Sequence, residues 1–362
     1  MIPLTLTAHI SRVSILAALL ICAGCAVPGE PLPPLLDIPA PVTSLTAQQT
    51  GTGIDLRFPI PQLTTEGTRP RRMERIELLV AYASPGAPPP DMAKQGAVVK
   101  TWTAGEIPEG TVEIGHRESV SGEHAGNRAW FAVRAKNQRG VDAGLSNIVA
   151  VDVVNLPASP TGIIATVTET AVVLRWSASP HSAFGGASAT GVEYEIFRAP
   201  AEINTAWESI GKSPGTTYSD STFSFRQSYR YSIRAIIASD VSTAVTGLAA
   251  PVEVSALDRF SPAAPANLRA IAVTGAVELA WSPNSEADLA GYNVYREQQG
   301  AEPTAPAEAA APRRKLNAAL LDIPLFRDET AAANREYRYT VTTVDAAGNE
   351  SPVSNEESVE TE

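Results

Sequence analysis

Catalysis needs nucleophiles, bases or metal ligands brought close together, and this chain is sparing with all of them. It has two cysteines and four histidines. Cys22 and Cys25 sit three positions apart in LLICAGCAVPGEPLPPLL, where an apolar run gives way to proline. His9 lies near the N-terminus, and His116, His124 and His181 are scattered singly through segments that read as loops. No HExxH, GxSxG or phosphate-cradling Gly-Lys-Ser/Thr motif occurs. Gly51 to Gly53 lacks the third glycine of a dinucleotide fingerprint and precedes a strand pattern, so it reads as a turn. The acid pairs Glu356/Glu357 and Glu286/Asp288 fall on a C-terminal tail and a loop with no pocket implied. Calcium takes about six to eight oxygens, so Asp288-Leu289-Ala290-Gly291 reads instead as a turn, with Asp288 capping backbone donors and Leu289 packing beneath. These patterns imply no enzyme, no metal and no cofactor.

Charge and exposed aromatic rings offer binding chemistry instead. The net charge is −11, the wrong sign for general nucleic-acid binding. Against that background TEGTRPRRMER carries Arg69, Arg71, Arg72 and Arg75, and AKNQRG carries Lys136 and Arg139. Such a cluster suits an anionic sugar, a phospholipid headgroup or an acidic protein. The competing reading is solubilising loop charge partly paired with Glu66 and Glu74. Phe184, in the Ala- and Gly-rich SASPHSAFGGASATG, could stack on a sugar ring or fold back onto the protein. Trp102 and Trp207 carry the same two readings.

The two cysteines address location. Arg12 followed by an apolar run from Val13 to Ala23 is the layout of a secretory signal peptide. The run is short for a membrane span, which needs about 20 apolar residues. Ala23-Gly24-Cys25 resembles the lipobox of bacterial lipoproteins, in which small residues precede the cysteine that receives a diacylglyceryl thioether. Cys25 fits that role, and Cys22 does not, because Ile21 stands where a small residue is required. The resemblance departs at Cys22, which occupies a position usually held by Leu. It implies cleavage before Cys25, a lipid-anchored mature chain in a bacterial envelope and, because Ala26 is not Asp, the outer membrane. The following AVPGEPLPPLLDIPAP contains six prolines. Extended at ~3.1 Å per residue, it would form a stalk of up to ~50 Å.

The remaining residues form a domain-sized repeat of short alternating strands bounded by Gly, Pro, Asn and Ser. GIDLRF, AVVLRW and AVELAW end on Phe58, Trp176 and Trp281. IELLVAY, VEYEIFR and GYNVYRE follow, and then AWFAVRA, YRYSIRA and YRYTVTT. These placements resemble fibronectin type III domains, in which a Trp on the second strand packs between two antiparallel sheets. SEADLAGYNVYRE and VDAAGNESPVSN look like bacterial members of that family. The resemblance implies an all-β chain of three tandem immunoglobulin-like sandwiches. Its expected organisation is a signal peptide at 1–24, lipidated Cys25 and stalk at 25–41, domains at 42–156, 157–258 and 259–359, and an acidic tail at 360–362. Tyr229 and Tyr337 then stand where a tyrosine corner forms. The first repeat has Ala129 there and Phe58 for tryptophan, so its corner bond must be missing or replaced.

In this sandwich the two basic segments emerge at the same end. The function expected is non-catalytic protein interaction or scaffolding through Arg69, Arg71, Arg72, Lys136 and Arg139, with an envelope protein or anionic polysaccharide as partner. The alternative is a glycan-binding accessory lipoprotein that uses Phe184, Trp102 or Trp207. Pro-bearing joints at Pro157/Pro160 and Pro262/Pro265 imply a semi-rigid row of domains. QQGAEPTAPAEAAAPRR reads as a low-complexity insertion in the third.

Overall fold

A computed structural model describes residues 36–70, 73–202, 205–299 and 313–362. The signal peptide, Cys25, most of the stalk, Arg71, Arg72 and most of the insertion after Gln298 lie outside the described residues. The chain is all-β, three sandwiches in succession, each with its own apolar cluster.

In the first sandwich, β1 (Thr46–Thr50), β2 (Gly53–Pro59) and β5 (Glu113–Ser119) form one sheet in the order β1-β2-β5. The facing sheet runs β4-β3-β6-β7, from β3 (Met73–Ala83), β4 (Ala97–Thr103), β6 (Arg128–Asn137) and β7 (Val149–Asp152). The two-residue period places Ile54, Leu56 and Phe58 of β2 inside and Asp55 and Arg57 outside. Opposite them, Ile76, Leu78, Phe131 and Val133 complete a dry interior.

The second sandwich pairs β8 (Thr161–Val167), β9 (Val172–Ser177) and β12 (Thr217–Asp220) against β10 (Glu193–Pro200), β11 (Glu208–Ser213), β13 (Ser228–Ala238), β14 (Thr243–Val245) and β15 (Val252–Ser255). The third repeats the plan with β16 (Ala266–Val273), β17 (Ala276–Ser282) and β20 (Leu325–Asp328) over β18 (Leu289–Gln298), β19 (Arg314–Lys315), β21 (Glu336–Asp345) and β22 (Glu357–Glu360).

The tryptophan markers meet tyrosines edge-on: Trp176 on Tyr194 at 5.3 Å and Trp281 on Tyr292 at 5.2 Å. Both tyrosine corners are present. The Tyr229 hydroxyl accepts from the Ser224 N–H (3.0 Å), and the Tyr337 hydroxyl accepts from Ala332 (3.1 Å). In the first sandwich Phe58 is smaller than tryptophan, and Trp102 of β4 fills the gap edge-on at 5.6 Å. The corner there is replaced, as Ala129 requires. A one-turn 3₁₀ helix, Gly122–His124, lays His124 flat on Tyr82 of β3 at 3.7 Å.

Two sequence expectations change. The first repeat is longer partly because a short helix, α1 (Met92–Gln95), sits between β3 and β4 and buries Met92 against Leu79 and Ala132. The C-terminal NEESVETE is not a solvated tail, and Glu360 does not open one. Alternation turns Val359 and Thr361 inward, β22 pairs Glu360 with Glu336, and Thr361 Oγ1 donates to the Ala332 and Arg335 carbonyls.

Candidate functional site

Met73 at the start of β3 lies opposite Asn137 at the end of β6, so the β2–β3 and β6–β7 connections leave the first sandwich at one end. Arg69 is exposed in the former and Arg139 in the latter. Asn137 organises this end: its Oδ1 accepts from the Arg139 and Val141 N–H groups at 3.0 Å each, and its Nδ2 donates to the Leu36 carbonyl at 3.3 Å. Gly140 supplies the left-handed φ of +77° that the turn needs.

Lys136 is not in the loop. It belongs to β6, and its ammonium lies 3.1 Å from Glu77, so it is not a free loop cation. Glu77, 7% exposed, also accepts from Arg75 Nε (2.9 Å) and Arg134 Nε (2.6 Å). Burial pushes its carboxyl up, but hydrogen bonds from Arg134, Lys136 and Arg75 outweigh that and hold it below its ordinary value. One carboxylate thus gathers three cations and leaves an excess of positive charge on the sheet face. In the second sandwich the corresponding Glu195 pairs with Arg234 at 2.6 Å. This site was missed in the sequence, although aligning the strand markers puts Glu77 opposite Arg134 and Glu195 opposite Arg234, a repeated cross-strand ion pair.

The aromatic candidates are committed elsewhere. Phe184 does not stand free for a sugar; it packs against the core cluster of the first sandwich. A Cβ on Gly122 would lie 3.1 Å from the Phe184 Cβ, so the glycine permits the approach. Asn155 fixes the Phe184 loop: its Oδ1 accepts from the Phe184 N–H (3.0 Å) and its Nδ2 donates to the Gly185 and Ala187 carbonyls (2.9 Å each). Trp102 packs on Phe58 and edge-on to His116, and the Trp207 ring is covered by the Arg230 guanidinium at 5.2 Å.

Carboxylates do gather in one place. Oxygens of Asp258, Asp288 and Asp345 lie within 4.8 Å of one another where the second sandwich meets the third. The expected turn differs in detail. Asp345 is the capping carboxylate, accepting from the Ala347 and Asn349 N–H groups (2.8 Å each), while Asp288 contributes its backbone carbonyl to Ala346. Leu289 packs against the third core. Offering one oxygen each, the three carboxylates fall short of the six to eight oxygens of a full calcium shell. Glu356 pairs with Arg338 and Glu357 with Arg269. Among the described histidines, His116 meets Glu118 at 3.0 Å, His124 stacks on Tyr82, and the His181 carbonyl accepts from Ala158. Among the described residues the His116 and His124 ring nitrogens meet only carboxylates, Glu118 and Glu123, and no hydroxyl in a relay.

No protein-family model matches the chain. A stretch of 211 residues is 29% identical to Exoglucanase B of Cellulomonas fimi, covering 57% of this chain and 17% of that protein, so the chain spans well under two thirds of its relative. Among solved structures, the FN1–FN3 domains of chicken CNTN1 superpose over 89% of this chain and 99% of that one, at 13% identity and a TM-score of 0.26.

Proposed function

We propose that this chain is a non-catalytic lipoprotein of the bacterial envelope, anchored through Cys25 and acting in protein interaction or scaffolding through the basic end of its first sandwich. The observation that carries the reading is the convergence of Arg75, Arg134 and Lys136 on Glu77, beside exposed Arg69 and Arg139, on a chain of net charge −11. Such a surface attracts an acidic partner, and the attraction is screened by salt. The test is in-cell cross-linking of the tagged protein with a Cys25→Ala control, followed by binding of the captured partner across a salt series. Binding that weakens steeply with salt, and again in an Arg69→Ala, Arg139→Ala variant, is expected. Salt-independent capture would count against the assignment.

A second reading, a glycan-binding accessory lipoprotein, draws on the similarity to a protein named Exoglucanase B. It would need the Trp207 ring, now covered by Arg230, since Phe184 serves the junction and Trp102 packs on Phe58. Soluble envelope polysaccharides would then change tryptophan fluorescence, and silence across a broad panel would remove this reading.

A further inference from the structure

The basic end of the first sandwich is also the end at which the chain arrives from the N-terminus. Leu36 is already bound there, its N–H donating to Glu66 Oε1 (3.2 Å) and its carbonyl accepting from Asn137. Ile38 and Ala40 follow along the β2–β3 connection, with Thr65 N–H donating to the Ile38 carbonyl and Ala40 N–H to the Leu63 carbonyl, 2.9 Å each. This stretch of the expected stalk therefore runs along the sandwich. Even fully extended, the chain from Leu36 back to Cys25 reaches only about 40 Å.

Aliphatic side chains stand in water at this end. Leu36, Leu63 and Val141 are 55%, 49% and 44% exposed, and they share the end with Arg69 and Arg139. Its acids are Asp37, Glu66, Glu74, Glu77 and Asp142, of which Glu66 holds the Leu36 N–H, Glu77 holds three cations and Asp142 accepts from Gly144. Exposed aliphatic side chains with arginines beside them suit the boundary between headgroups and acyl chains, where the apolar part sinks and the guanidinium stays among phosphates. A protein partner would cover the same aliphatics, and it is the short reach to Cys25, about 40 Å, that favours the membrane carrying the anchor. Among the described residues Arg69, Arg75, Arg134, Lys136 and Arg139 balance the five acids, so this end is neutral where the chain as a whole carries −11, and contact with an anionic bilayer through it is the least costly orientation.

We infer that the partner of the basic end is the headgroup layer of the membrane carrying the anchor, with Leu36, Leu63 and Val141 dipping into it between Arg69 and Arg139. The inference rests on the lipid-anchored reading above and replaces its protein partner at this end with lipid: a second, weak contact turns a tether into a seated domain.

With Cys25 acylated and Cys22 removed with the signal, the mature chain has no other thiol, so one introduced cysteine carries a unique label. Lipidated protein bearing a fluorophore at Leu63→Cys, Val141→Cys or, as a remote control, Ile323→Cys is incorporated into phosphatidylethanolamine/phosphatidylglycerol vesicles containing brominated acyl chains. Flotation reports anchoring, and quenching reports docking. Labels at 63 and 141 are expected to be quenched about threefold more than the label at 323, and Arg69→Glu with Arg139→Glu should bring them to the control level. Floated protein with all three labels equally solvated would overturn docking and leave the anchor standing, pointing to an acidic protein partner. Quenching that ignores the charge reversal would overturn the part given to the arginines. Failure to float would overturn the docking and the anchored reading together.

Discussion

Buried charge is handled differently in the three sandwiches. In the second and third, an Arg on the third strand, an Asp and a Tyr form the same buried knot. Arg198 and the Tyr231 hydroxyl both meet Asp220 at 2.8 Å; Arg296 and the Tyr339 hydroxyl meet Asp328 at 2.7 and 2.8 Å. Thr222 and Thr330 complete each carboxylate with a backbone and a hydroxyl donor. At the matching register of the first sandwich stand Val80 and Phe131, which need no partner. Burial pushes the Asp328 carboxyl up, and the Thr330, Tyr339 and Arg296 contacts outweigh it, holding the group below its ordinary value. A depressed carboxyl contributes stability above its unfolded value of about 3.9, and that contribution is lost as pH falls through the folded value. The third sandwich should therefore lose thermal stability as pH drops below about 4, and Asp328→Asn should flatten that dependence while costing about 3 kcal/mol at neutral pH, because Arg296 stays buried without its counter-charge. Melting curves of both forms between pH 3 and 7 check this. Glu77→Gln should likewise destabilise the first sandwich by about 1–3 kcal/mol, as three cations lose the carboxylate that separates them. Denaturant unfolding would measure it, and a cost near zero would mean that Arg75, Arg134 and Lys136 relax into solvent.

At the scale of strands and corners, what was legible depended on how local its cause was. GIDLRF, AVVLRW and AVELAW declare themselves by a two-residue period, because each strand has one wet and one dry face. The corners at Tyr229 and Tyr337 were readable because donor and acceptor lie five residues apart. Removing one such bond, as in Tyr337→Phe, is expected to cost about 1 kcal/mol, since the ring still packs and only the Ala332 N–H loses its partner. Comparing unfolding free energies of Tyr337→Phe and wild type decides it, and a cost below a few tenths would show that water replaces the hydroxyl. Lys136 was misplaced because AKNQRG carries no signal separating the last rungs of β6 from its turn. The β22 strand was hidden by its own acids: four glutamates suggest solvent, while Val359 and Thr361 alone mark the inward face. Phe184 folds back, as one of its two readings had it, but its partner was unreadable. Its partner Gly122 belongs to another sandwich, and nothing local to either residue announces the other.

That contact belongs to a junction which ties the first two sandwiches together. Strand β14 of the second pairs in parallel with β1 of the first at Thr50 and Val245, so a single sheet passes from β11 to β5 across both. Gln49, fully buried, makes a two-way bond with Val154, its Nε2 donating to the carbonyl and its Oε1 accepting from the N–H, 2.8 Å each. Arg128 bridges Asp152 and Asp240, and the Asp152 N–H donates to Ser242 Oγ. Asn155 and Phe184 close the opposite side. The junction to the third sandwich is thinner: an Arg226 bond to the Ala346 carbonyl, a long Asn349 bond to the Asp258 carbonyl, a Phe225–Phe260 contact at 6.2 Å, and three carboxylates drawn together. Cooperativity follows buried, satisfied contacts, so the first two sandwiches should unfold in one calorimetric transition and the third in its own. Asn155→Ala is the informative change. It takes away the Phe184 N–H acceptor and the donor to two loop carbonyls, and should cost about 2–3 kcal/mol while the core of neither sandwich is touched. The expected trace splits the shared transition in two, with the part from the first sandwich moving to lower temperature because it loses the ring that covers Gly122. A single transition shifted downward intact would mean that the Gln49–Val154 pair and the continuous sheet hold the two together without the loop.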